Sequence, residues 1–378
     1  MSVNKFLISA ACLPLGLVLP GVSAAVPVAT APQFQSHVDY PVGSSPAGLR
    51  LEDLNDDGHL DAVVTNGGSN TISVLLGKGD GTFLAKADYR TGINPAGIEI
   101  GDLNRDGALD VVVSNQGVDP AFGSSVSILL GKGDGSFNTK KNYTVGSFPW
   151  GLQIGDLNRD GVPDIVSANY FSSTVSVLFG RSTGGFKAKM DWPTSYLPRD
   201  VRIGDLNRDG KADLITANYG GGGGTDISVL LGMGPHGHFA PAVNHTVPNA
   251  PTSVQTGDIN RDGRPDVIVT SYTDPASVTV LSGDGKGGFT SQAQYFMNGL
   301  PSLQLRDLNR DGWLDFAAVN FGGVSLLLSD GLGQFQAPVD FATGTGATAL
   351  QIGDLNHDGK PELVTANSSG TVSVLLGQ

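Results

Sequence analysis

A nine-residue acidic loop repeated seven times, a glycine–phenylalanine turn at a fixed distance before each loop, and termini that read as parts of one unit predict an all-β fold. The architecture they predict is a seven-bladed β-propeller with four-stranded blades, its ring closed by the N-terminal strand joining the last blade.

The loops are DLNDDGHLD from Asp53, DLNRDGALD from Asp102, DLNRDGVPD from Asp156, DLNRDGKAD from Asp205, DINRDGRPD from Asp258, DLNRDGWLD from Asp307 and DLNHDGKPE from Asp354. Their starts are 49, 54, 49, 53, 49 and 47 residues apart. That period suits propeller blades rather than helical solenoids. Phe34, Phe83, Phe137, Phe186, Phe239, Phe289 and Phe335 close Gly-rich or polar turns, each 19 residues before the next loop, or 18 from Phe289.

Each unit reads as four strands. In the second, Gly97–Ile100 enters the loop, Asp110–Ser114 leaves it, Val126–Leu130 follows, and a fourth runs from about Phe137 to Val145. Short β-branched runs between Gly, Asn and Pro support strands throughout, and no segment has a helical period. The chain from Gln33 begins with a fourth-strand pattern and ends, at TVSVLLGQ, on a third-strand pattern. Joined, these complete one blade and remove the open sheet edges that invite aggregation.

The loops carry oxygen donors at alternate positions. The expected ligands are the side chains at positions 1, 3, 5 and 9 and the carbonyl of position 7, with Gly turning the loop at position 6. They are Asp53, Asn55, Asp57, His59 and Asp61 in the first loop, and Asp102, Asn104, Asp106, Ala108 and Asp110 in the second. Asp156, Asn158, Asp160, Val162 and Asp164 follow, then Asp205, Asn207, Asp209, Lys211 and Asp213. The last three sets are Asp258, Asn260, Asp262, Arg264 and Asp266; Asp307, Asn309, Asp311, Trp313 and Asp315; and Asp354, Asn356, Asp358, Lys360 and Glu362. Glu362 is the departure. A hard-oxygen cage suits Ca²⁺, up to seven ions here. An EF-hand would need Glu at position 12 and flanking helices; these loops end at position 9 between strands.

Charge supports that reading. The formal net charge is −13, which disfavours nucleic acid phosphates as partners. Positions 1, 5 and 9 hold 21 of the 36 acidic residues, so seven bound divalent cations would bring the chain close to neutral. Residues 1–24 read as a secretory signal: Lys5, an apolar run broken by Pro14, Gly16, Pro20 and Gly21, and small residues Val22-Ser23-Ala24. A lipoprotein alternative would use Cys12, the only cysteine. The expected protein is therefore exported and not membrane-spanning, with a short linker at 25–32 and one propeller domain at 33–378. Without Cys12 it has no disulfide, so its rigidity must come from elsewhere.

Seven copies of D-[LI]-N-x-D-G-x-x-[DE], each after an apolar strand and before a Gly-Phe turn, resemble the FG-GAP/VCBS repeat family, whose best-known members form the propeller of integrin α subunits. The resemblance covers nearly all of the chain after residue 32. It implies calcium in the loop joining the first two strands of a blade. Members with a loop in every blade are the nearer likeness. The family includes adhesion modules, lectins and propellers of some polysaccharide lyases, so fold does not fix function.

A ligand is expected on the opposite face, where residues 115–124 and 219–226 extend the connection between strands two and three. Phe122, Phe148, Trp150, Tyr170, Phe171, Tyr196, Tyr219, Tyr272 and Phe321 belong to that face, and Trp150, Tyr170, Tyr196 and Tyr219 are the candidate ligand contacts. Asn66, Asn115, Asn169, Asn218, Asn320 and Asn367 recur five residues after the last acid and read as structural. No nucleophile elbow, P-loop or zincin signature is present. The expected function is a monomeric, non-catalytic binding or adhesion module for glycans or cell-surface proteins. The alternatives are a lyase on a propeller scaffold and a purely structural envelope or matrix module.

Overall fold

The computed structural model describes residues 32–119, 123–182, 185–220, 225–234, 236–248, 250–272, 276–297, 299–320, 322–331 and 334–378. The expected signal segment, most of the expected linker, Phe122 and Phe321 lie outside them. Among the described residues there are seven four-stranded antiparallel sheets and no helix. Blade 1 comprises Pro46–Glu52, Asp61–Asn66, Thr71–Leu75 and Ala87–Arg90. Blades 2 to 6 begin at Pro95, Pro149, Pro198, Pro251 and Gly299. Blade 7 holds Ala347–Gly353, Glu362–Asn367 and Thr371–Leu375, and takes Val38–Pro41 as its fourth strand, with Val38 opposite Val374. The ring closes as the sequence predicts.

The first strands pack side by side in an unbroken ring around the axis. Second strands such as Asp110–Asn115 are buried along their whole length, which is why they read as continuous apolar runs rather than alternating ones. Seven hydrophobic layers, one per interface between neighbouring blades, make up the core.

Each landmark phenylalanine meets a ring from the fourth strand of the preceding blade. Tyr89 and Phe137 stand edge to face at 5.3 Å, Tyr143 and Phe186 at 5.4 Å, and Trp192 and Phe239 at 5.3 Å. Tyr40 with Phe83, His245 with Phe289, Tyr295 with Phe335 and Phe341 with Phe34 complete the girdle. This packing shortens the expected fourth strand. Phe137 makes a single bridge to Gly131 and turns inward, and regular pairing resumes only at Lys141–Thr144.

The recurrent asparagines are structural. Asn66 donates to Ser73 Oγ, which donates to Asp88 on the fourth strand. Asn169–Ser176–Asp191 and Asn367–Ser373–Asp39 repeat the chain, the last across the closing strand. These buried polar rails lock the register of strands two, three and four.

Candidate functional site

The acidic loops share one geometry. Position 4 is left-handed in all seven, from Asp56 at φ 56° to Arg310 at φ 62°, and so is the glycine at position 6. Two left-handed residues in three wind the loop tightly enough to turn its backbone amides onto its own side chains. Position 1 accepts from the glycine N–H, as Asp53 does from Gly58 at 2.7 Å. The Asn55 and Asp57 oxygens accept from the amides of Asp57 and His59.

Position 9 does something the sequence did not reveal. Asp61 is fully buried, and its two oxygens accept from Leu54 N at 2.9 Å and from Gly77 N, just past the third strand, at 2.7 Å. Asp110, Asp164, Asp213, Asp266 and Asp315 make the same clamp. Glu362 keeps it with a longer arm, reaching Leu355 N and Gly377 N. Burial raises the pKa of Asp61, Asp110, Asp164 and Asp315 to about 6, against the pull of the two amides, and the carboxylates at positions 1 and 5 add to the rise.

Several features of the donor set fit a hard cation. Asp258, Asp307 and Asp354 each bury an Oδ1 with no hydrogen-bond partner, a costly arrangement for a carboxylate. Among the described residues, one trio of acids brings an oxygen from each to within 4.8 Å of the others: Asp354, Asp358 and Glu362. The Glu362 departure thus falls in the loop where the acids converge most tightly. In three loops the position-7 cation pairs with the position-5 acid: Lys211 with Asp209, Arg264 with Asp262, and Lys360 with Asp358.

Neighbouring loops are linked through position 4. A Cβ added at Gly161, Gly210, Gly312 or Gly359 would lie 2.9–3.0 Å from the guanidinium of Arg105, Arg159, Arg261 or Arg310 in the preceding loop. At the closing seam His357 Nε2 and His59 Nδ1 lie 2.9 Å apart instead.

The opposite end of the axis holds a cavity of about 290 Å³, lined by the first halves of the innermost strands. Each first strand carries a register shift near its start. A Cβ at Gly97 would lie 2.2 Å from the Trp150 carbonyl. Ser114 Oγ donates to that same carbonyl at 2.7 Å, so the second blade fixes the backbone of Trp150.

Six residues before each acidic loop is one ring position around the cavity mouth. Among the described residues it is occupied by Ala47, Ala96, Trp150, Arg199, Thr252 and Thr348. Trp150 and Arg199 are the two large side chains, adjacent in blades 3 and 4, with the guanidinium stacked 4.2 Å from the indole centroid. Tyr170, Tyr219 and Tyr272 share a second register position, at the ends of the second strands of blades 3, 4 and 5. Tyr170 lies 6.0 Å from Trp150 and 6.2 Å from Tyr219, and Phe148 and Phe171 back the group. Tyr196 is 60% exposed beside it, within electrostatic reach of the Tyr170 hydroxyl. Three of the four candidate contacts therefore form one contiguous group and the fourth flanks it. Arg199 was missed by sequence reasoning, although its register match with Trp150 is readable once the loops are aligned.

Deeper in the cavity Arg50 pairs with both oxygens of Glu99, and Gln153 donates to the same carboxylate. Desolvation disfavours the Arg50 charge, but Glu99 outweighs it and raises the pKa. Asp200 accepts from Arg202, Ser253 and two backbone amides.

Residues 53–113, 118–167, 156–216, 205–269 and 307–365 match the FG-GAP-like repeat. The chain belongs to the FG-GAP-like repeat family. No curated protein matches this FG-GAP propeller. Solved structures share its fold. One is BBS1N, crystallised in complex with ARL6DN and soaked with lead, at TM-score 0.61 and 12% identity, covering 92% of this chain and 98% of that one. Another is an Agrocybe aegerita lectin that recognises non-reducing terminal N-acetylglucosamine, at TM-score 0.53 and 15% identity over 90% and 96%. A functionally unknown protein from Desulfotomaculum acetoxidans aligns at TM-score 0.59 and 13% identity over 86% and 90%. At these identities the likeness is one of fold.

Proposed function

We propose that this FG-GAP propeller is an exported, calcium-binding recognition module that holds a glycan or cell-surface protein without transforming it. The observation that carries the reading is Trp150 on the lining of the axial cavity with Tyr170 and, next to that, Tyr219 grouped beside it, away from the acidic loops. Aromatic faces backed by rigid strands suit the apolar faces of sugars and serve equally as anchors for a protein. Calcium would be held by the side chains at positions 1, 3, 5 and 9 and the carbonyl at position 7, where it would neutralise the acids and fix the loops.

The test is a glycan and polysaccharide screen on the full chain, in calcium and after its removal, with each hit assayed for unsaturated products. The expected result is binding without product, weakened at least tenfold by Trp150→Ala or Tyr170→Ala. Product release would make the chain a lyase. A folded chain that binds no glycan and no cell-surface protein would leave the structural-module reading.

A further inference from the structure

Five charged side chains line the axial cavity among the described residues: Arg50, Glu99, Arg199, Asp200 and Arg202. Two carboxylates are matched to two guanidiniums, Glu99 to Arg50 and Asp200 to Arg202. Arg199 is the cation left over. Its guanidinium stacks on Trp150, and no hydrogen bond or ion pair joins it to another described residue. Burial pushes its pKa down, while Tyr170, Tyr219, Asp200 and Tyr272 act against that, and an arginine so placed keeps its charge. A chain of net charge −13 thus carries a local excess of one positive charge in its axial cavity. Stacking uses only the face of a guanidinium. Its edge remains a fork of N–H donors matched to a planar, two-oxygen acceptor.

We infer that the axial cavity binds a carboxylated sugar, a hexuronate unit of an acidic glycan, with the carboxylate on the Arg199 edge and the ring against Trp150 and Tyr170. This rests on the channel-mouth reading above and deepens it. A sugar is favoured over a polypeptide because the cavity, at about 290 Å³, is at the small end for ligands and has room for little more than a ring. Trp150 on the lining, with Tyr170 beside it, and one cation give a sugar acid both of the contacts it needs. The Asp200 carboxylate would not repel it strongly, since four donors already engage that group.

The experiment titrates the full chain, at fixed free calcium, with tetragalacturonate and with its carboxyl-reduced neutral counterpart, following tryptophan fluorescence and heat. The expected result is that the acid binds at least tenfold tighter than the neutral sugar. Arg199→Met, which keeps the stem packed against Trp150, should erase that preference by bringing the acid down to the affinity of the neutral sugar, while Arg199→Lys restores part of it. Equal affinity for the two sugars, or a preference that survives Arg199→Met, would overturn the inference and leave the glycan reading standing. Binding of neither sugar, with Arg199-dependent capture of hexaglutamate, would overturn the sugar in favour of an acidic peptide. Near-UV circular dichroism of each variant separates loss of contact from loss of fold.

Discussion

Ser373 donates its hydroxyl proton to the carboxylate of Asp39, a contact between residues 334 positions apart. It completes the polar rail that starts at Asn367 and carries it into the strand supplied by the other end of the chain. Asp39→Ala leaves Ser373 and Asn367 buried with one acceptor fewer. The expected cost is about 1–2 kcal/mol, read as a lower denaturant midpoint at unchanged m. Deleting Val38–Pro41 should do more: it strips blade 7 of its outer strand and opens an edge, so soluble monomer should fall on size-exclusion chromatography. An unchanged midpoint in both variants would show that closure contributes little.

The clamp at position 9 predicts a polarity-specific effect. Asp110→Asn turns one acceptor oxygen into an N–H₂ facing the backbone amide of Leu103 or Gly131. About 1–3 kcal/mol of destabilisation is expected despite the near-identical shape. A thermal unfolding curve that overlays the wild type would refute the clamp.

Metal removal should lower the melting temperature. A ligand at a hundred times its Kd adds about 2.7 kcal/mol per site, and several sites make the shift large. Calorimetry with and without chelator checks it, and coincident transitions would count against bound calcium.

In the metal-free protein the sign of the pH dependence is unusual. Asp61, Asp110, Asp164 and Asp315 have folded-state pKa values of about 6 against an ordinary 3.8. Between those values the folded chain binds protons more tightly than the unfolded chain, so these groups favour folding as pH falls. Their contribution is complete below about pH 4 and lost as pH rises through 6. Metal-free protein should therefore melt higher at pH 5 than at pH 7. With calcium present protons compete for the same oxygens, and the trend should flatten or reverse. A lower melting point at pH 5 without metal would show that the amide donors outweigh burial.

Gly97→Ala tests how the aromatic site is placed. The new methyl would collide with the Trp150 carbonyl and force blades 2 and 3 apart where they are most crowded. A stability loss of about 1–3 kcal/mol is expected, together with weaker ligand binding. Wild-type affinity would mean that the Trp150 backbone can shift freely.

Much of this was legible because it repeats. Seven loops and seven phenylalanines gave the blade count, and the incomplete end units gave the closure. What escaped is what depends on meetings between blades. That Phe137 meets Tyr89 of another unit cannot be read within one repeat. Arg199 escaped for the opposite reason. It stands at a position that repeats, but its meaning lies in breaking the pattern of small residues there, and an arginine before an aspartate reads as one more surface ion pair.

The closing strand also sets an order of events. Residues 38–41 are made about 330 residues before their partner, Thr371–Leu375. At ordinary synthesis rates of about 5–20 residues per second, that strand waits roughly 20–70 seconds with nothing to pair with. Six blades can consolidate in that interval, each from its own contiguous sequence. The seventh cannot, so the molecule is in effect self-timed: Thr371–Leu375 acts as the buckle that turns a curved stack into a ring.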